Sequence, residues 1–181
     1  MSNPTVFLDI DNTVVITNSG KTFPTNPNDW KFNKDILDYI AVAIKKGFDV
    51  VFVSNQAGVI NGYLRPNDAV ARLDNILMNV RRFIFEETRT RCTFTLFAPM
   101  SSNNKYYKGP NVSKFAYQEA TNYDAIRSIM IGDANSKETS FSDSDLVFAN
   151  TLEIQTFYHP DDLFKQGLNK FRITLNTLLN K

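Results

Sequence analysis

Cysteine is nearly missing from this chain: Cys92 is the only one in 181 residues. That excludes an intrachain disulfide and any zinc site built from several cysteines, and leaves Cys92 as a small apolar residue near a strand. An excess of one charge is missing too, since 20 basic side chains face 19 acidic ones for a net charge of +1. Charge alone therefore points to no partner. No segment resembles a signal peptide and none is long enough to span a bilayer, so the default expectation is a soluble intracellular protein without membrane contact. It would sit in the nucleus of a eukaryote and otherwise in the cytoplasm. Repeats, heptads and low-complexity tracts are absent as well, and "SSNNKYYKGPN" (101–111) reads as a polar surface loop. What is present suffices for a core: apolar residues make up 43% of the chain, and the length suits a single domain over 1–181.

Strands and helices alternate along it. "VFL" (6–8) reads as a strand buried on both faces. A turn-rich excursion (17–30) follows, with Gly, Pro, Asn and Ser throughout. A helix fits 34–46, capped by Asn33 and ended by Gly47. "FDVVFVSN" (48–55) is a second buried strand. Pro66 opens a long helix running to about Glu86, whose apolar stripe includes Val70, Leu73, Ile76, Leu77, Val80, Phe83 and Ile84. Strands are expected at 93–98, 128–131 and 146–148, with a helix at 112–120 and helical structure at the C-terminal end. This order implies βαβ units: a Rossmann-like α/β fold with a mainly parallel sheet, helices on both faces and no large cap domain.

In such sheets, ligands bind beyond the C-terminal strand ends. Asp9 and Asp11 follow the first strand, Ser54 and Asn55 the second, and Gly132 and Asp133 the fourth. Any one of these could be a turn former, but together they crowd carboxylates at one edge. Such a crowd needs positive charge between its members. Mg²⁺ suits hard oxygen ligands, here Asp9, Asp11 and Asp133, and Lys108 offers a second cation. Charge neutralised in this way lets a carboxylate attack a phosphate ester. Asp9 then takes the nucleophile's part and Asp11, two residues on, that of general acid and base.

These motifs resemble those of the haloacid dehalogenase superfamily of phosphatases. "DIDNT" is similar to its Asp-x-Asp-x-Thr signature, with Asn12 where many members carry Gly; "VFVSNQ" looks like the second motif, Lys108 like the third and "IGDA" (131–134) like the fourth. The resemblance implies that Ser54, with Asn55 beside it, and Lys108 bind the substrate phosphate, and that Asp133 is a metal-ligand acid. Within the superfamily, "SGKTFPTNPNDWKF" (19–32), "SNQAGVINGYL" (54–64) and "FSDSDLVFAN" (141–150) resemble the 3′-phosphatase domain of polynucleotide kinase/phosphatase. That likeness implies Mg²⁺-dependent removal of phosphate from 3′ ends at DNA breaks, by a chain that is expected to act as a monomer. The Gly-x-x-x-x-Gly-Lys-Ser/Thr loop of the 5′-kinase half is not found. Ser140 stands where relatives carry an acid, leaving Asp143 or Asp145 to support the metal ligands.

Lys21, Tyr106 and Tyr107 are candidate nucleic-acid contacts, the lysine for backbone phosphates and the tyrosines for stacking. Trp30 and the arginines at 81, 82, 89 and 91 read more simply as packing and as a solvated helix face, and His159 as a surface or capping residue. Two other functions fit the same motifs. One is a small-molecule phosphatase of the histidinol-phosphate and heptose-bisphosphate type, although many of that branch carry a cysteine-rich zinc loop. The other is a non-catalytic module that keeps the fold.

Overall fold

The central strand β1 (Thr5–Leu8) is buried at every position, because its alternate side chains feed two different cores. A computed structural model of the chain describes residues 2–135 and 142–181. After β1 come the short strands β2 (Val15–Ile16) and β3 (Lys31–Phe32), which pair antiparallel and tie off the excursion between them. The main sheet adds β4 (Asp49–Val53), β5 (Thr95–Phe97), β6 (Ile129–Ile131) and β7 (Thr156–Tyr158). Its order is β5-β4-β1-β6-β7, with every pairing parallel.

Helices cover both faces. On one, Val6 and Leu8 meet α1 (Ile36–Lys45), α3 (Pro66–Thr88) and α6 (Pro160–Leu179) through Ile40, Ile76, Val80 and Phe171. On the other, Phe7 meets α4 (Lys114–Thr121) and α5 (Ser144–Thr151). The Phe7 ring makes edge contacts with Tyr117, Tyr123 and Phe148 at 6.3, 5.4 and 5.5 Å between centroids. A four-residue turn of helix, α2 (Ala57–Ile60), follows β4. No described helix is long and apolar enough to cross a membrane.

Three sequence expectations change. The segment 146–148 lies inside α5, and the last strand is β7. Its three apolar residues carry no period of their own, whereas Asp145, Phe148 and Ala149 are buried at helical spacing. Asn33 does not cap α1: its side-chain amide donates to the carbonyls of Asn12 and Thr13 at 3.2 Å, and Lys34 turns left-handed (φ 46°) before the helix begins. Val70 is exposed, because the buried stripe of α3 runs through Ala69 and Arg72 instead.

Candidate active site

Asp9 leaves β1 still held to the sheet, its N–H donating to the Ile131 carbonyl at 3.0 Å. Asn12 then bends the chain with φ 60°, a left-handed conformation that Asn tolerates and that accounts for its standing in for glycine. Lys108 comes from the loop between β5 and α4 and is 2% exposed. Its ammonium donates to Asp9 Oδ1, and to Asp145 Oδ1 at 2.5 Å. Asn55 fixes that loop from β4: its Nδ2 donates to the Lys108 carbonyl at 2.7 Å and its Oδ1 accepts from the Lys108 N–H at 2.8 Å. Both ends of the Asn55 amide thus help to position Lys108.

Asp145, at the start of α5, is fully buried, and its Oδ2 accepts from the Ala134 N–H at 3.0 Å. Gly132 leaves room for it, since a Cβ there would overlap the Asp145 carboxylate. Ser54 is buried past β4, where its Oγ accepts from Gln56 Nε2 at 2.8 Å and donates to Asp11 Oδ2 at 3.4 Å. The other Asp11 oxygen accepts from Arg72 Nη2 at 2.6 Å. These groups line a cavity of about 220 Å³ whose floor includes Asp9, Asp11, Ser54, Lys108, Asp133 and Asp145.

Electrostatics follow from burial. Desolvation pushes the Asp9 carboxyl well above the usual range; Lys108 opposes it, while Asp145, Asp133 and Asp11 add to it. Asp133 is pushed up to about 6 by burial and by Asp145, against a side-chain bond from Asn12. Burial works against the charge on Lys108, but Asp145 and Asp9 hold its ammonium above the ordinary lysine range. One ammonium among so many acids leaves excess negative charge, which a small cation would relieve. A carboxylate oxygen from each of Asp9, Asp133 and Asp145 lies within 4.8 Å of the others. Three hard carboxylate oxygens gathered in one cluster are the donor chemistry that Mg²⁺ takes, so the residues present fit that ion. Asp11, expected among the ligands, faces Arg72 and Ser54 instead.

The strand ends thus bring Asp9, Asp11, Ser54, Lys108 and Asp133 together. Tyr107 lines the same cavity. Tyr106 stacks on Phe97 at 4.5 Å, meets Tyr117 edge-on at 5.3 Å and lies under the Lys105 ammonium, so its ring is engaged within the protein. Lys21 is exposed and borders a neighbouring cavity. The arginines at 81, 82, 89 and 91 do not line the active cavity. Trp30 packs against Phe32, and His159 accepts from the Asp161 N–H to cap α6. Ser140 lies outside the described residues, and Asp143 is exposed.

Arg72 and Gln56 were not anticipated, and Asp145 was anticipated only as one of two supporting acids. A signal existed for two of them. Arg72 falls on the apolar face of α3 with Ala69 and Ile76, and Asp145 on that of α5 with Phe148 and Ala149. A charge inside a buried stripe asks for a partner.

Comparison with known proteins bears on the family and the fold. Residues 4–164 match the family model described as polynucleotide kinase 3 phosphatase. An uncharacterized 20.8 kDa protein encoded in the FGF-VUBI intergenic region of Autographa californica nuclear polyhedrosis virus is 26% identical over 169 residues, covering 89% of this chain and 85% of that one. Among solved structures, a HAD-like phosphatase candidate from Mesorhizobium loti superposes with a TM-score of 0.66 at 19% identity, covering 98% of this chain and 88% of the other. D,D-heptose 1,7-bisphosphate phosphatase from B. bronchiseptica, complexed with magnesium and phosphate, gives 0.60 at 15% identity and covers 98% of each chain.

Proposed function

The chain belongs to the polynucleotide kinase 3 phosphatase family, and on that footing we propose that it hydrolyses the terminal phosphate at 3′ ends of broken DNA. The observation that carries the reading is the buried contact of Lys108 with Asp9 at the end of β1, inside a cavity that also holds Asp11, Ser54 and Asp133. Asp9 and Asp133, backed by Asp145, would hold Mg²⁺, which when bound supplies charge neutralisation for the phosphoryl oxygens.

Lys108 occupies Asp9 Oδ1, leaving Oδ2 to attack phosphorus as the bond to the sugar 3′-oxygen breaks. Asp11 gives that oxygen a proton, so the strand departs as a 3′-hydroxyl. The same carboxylate then takes a proton from water, whose oxygen attacks the phosphorus on Asp9. Inorganic phosphate leaves and the Asp9 carboxylate is restored. Ser54 steadies Asp11 and faces the phosphoryl group, while Lys108 offsets charge on both Asp9 and the incoming phosphate.

The test is phosphate release from three substrates: a 3′-phosphorylated oligonucleotide, the same oligonucleotide phosphorylated at its 5′ end, and p-nitrophenyl phosphate. With Mg²⁺ the 3′ end should be favoured in kcat/KM by about tenfold or more. A chelator should stop turnover, and rising salt should erode the preference as backbone contacts are screened. Equal rates on all three at low salt would assign the site to small phosphomonoesters.

A further inference from the structure

Beside the active cavity lies a second of about 360 Å³, lined by Lys21, Thr22, Phe23, Pro24, Thr25 and Tyr63. Thr22, Phe23 and Pro24 border both cavities, so the two adjoin at the Phe23 ring. Tyr63 stacks on Phe23 with centroids 5.1 Å apart and planes 16° from parallel, yet remains 65% exposed. The pair is held from both sides. Behind Phe23, Gly58 leaves ordinary contact distance, and Asp29 ties down the main chain at Thr25. Under Tyr63, Gly62 turns with φ 75° and the Tyr63 N–H donates to the Gly58 carbonyl at 2.7 Å.

We propose that Tyr63 is a stacking ledge for a nucleobase within the last two nucleotides of the 3′ end, with Lys21 facing the backbone phosphate between them. This rests on the polynucleotide reading above and adds the subsite that reads the strand beyond its phosphate. A flat, pre-held aromatic face loses little freedom when a base covers it. It accepts any base, because every base has a π-face. The adjacent ammonium suits a phosphodiester, and the exposed face of the ring suits a base.

The experiment is a coupling cycle between residue and base. Steady-state kinetics compare wild type, Tyr63→Ala and Tyr63→Phe on a 3′-phosphorylated oligonucleotide, and on versions with an abasic site at the last or penultimate position. Tyr63→Ala should raise KM on the intact strand about five- to twentyfold, and Tyr63→Phe should restore it. At one of the two abasic positions wild type should lose the same factor, and Tyr63→Ala should lose nothing more. Thermal melting checks folding; Tyr63→Leu, which still covers Phe23 but lacks a π-face, reports the same loss should the alanine variant unfold. Equal penalties on intact and abasic strands, or none on either, would overturn the ledge alone. Failure of wild type to release phosphate from any of these strands, with p-nitrophenyl phosphate still hydrolysed, would remove the polynucleotide reading and the ledge with it.

Discussion

Arg72 is a cation with no exposure at all, and its Nη2 bonds Asp11 while Nε and Nη1 find no partner among the described residues. Burying a guanidinium is costly, so its presence on the apolar stripe of α3 has to be balanced by what it does to Asp11. In the proposed mechanism Asp11 serves both halves of the reaction from one position, and Arg72 and Ser54 are the groups that bond its carboxylate among the described residues. Replacing Arg72 with Met keeps the volume and removes the charge. Because Asp11 is about a third exposed and can be hydrated, stability in urea should change by about 1 kcal/mol or less. Steady-state kinetics should show kcat lowered about a hundredfold, with a much smaller change in KM. A large stability loss with kcat intact would make Arg72 a folding residue only.

At the scale of the element, the excursion between β2 and β3 is held by one carboxylate. Asp29 accepts from the Ser19 N–H and hydroxyl at 2.8 and 2.7 Å, and from the Thr25 N–H and hydroxyl at 2.9 Å each. Burial works the other way, but these bonds hold its carboxyl well below the usual carboxylate range. A lowered folded value means the stabilisation is fully present above the unfolded value of about 4 and is lost as pH falls toward the folded one. Asp29→Asn should therefore cost about 2 kcal/mol at neutral pH, and its melting temperature should converge on that of wild type in acid. A gap that stays constant from neutral pH to acid would contradict the charge-based clamp. Sequence reading located this segment as a turn-rich excursion but not its anchor, since an Asp among Asn, Pro and Thr reads as one more turn residue. It found β1, β4, β5 and β6 from short stretches rich in apolar, β-forming residues. It missed β7 and read α5 as a strand, because a run of three apolar residues has no period to measure.

For the whole molecule, the central fact is that acids far apart in sequence meet at one sheet edge. Each nucleophile, base and phosphate-binding candidate adjoining a strand was legible, since a polar group directly behind a buried strand must emerge at that edge. Asp145 and Arg72 arrive from helices and were harder to see, because a helix places only one residue in three or four on a given face. Asn55 was legible as a site residue, but its service to the Lys108 main chain is a tertiary fact. The proposed reaction makes Asp9 the nucleophile that accepts the phosphoryl group, and this can be caught directly. Asp11→Asn removes the proposed proton shuttle, so an alkyl ester would stall at the first step, whereas p-nitrophenolate departs without needing a proton. Given p-nitrophenyl phosphate and Mg²⁺, the Asp11→Asn enzyme should transfer the phosphoryl group and then fail to release it. Acid-quenched protein, digested and analysed by mass spectrometry, should carry the added phosphoryl mass on Asp9. The same label on any other side chain, or p-nitrophenol released in a burst with no label on the protein, would contradict the account.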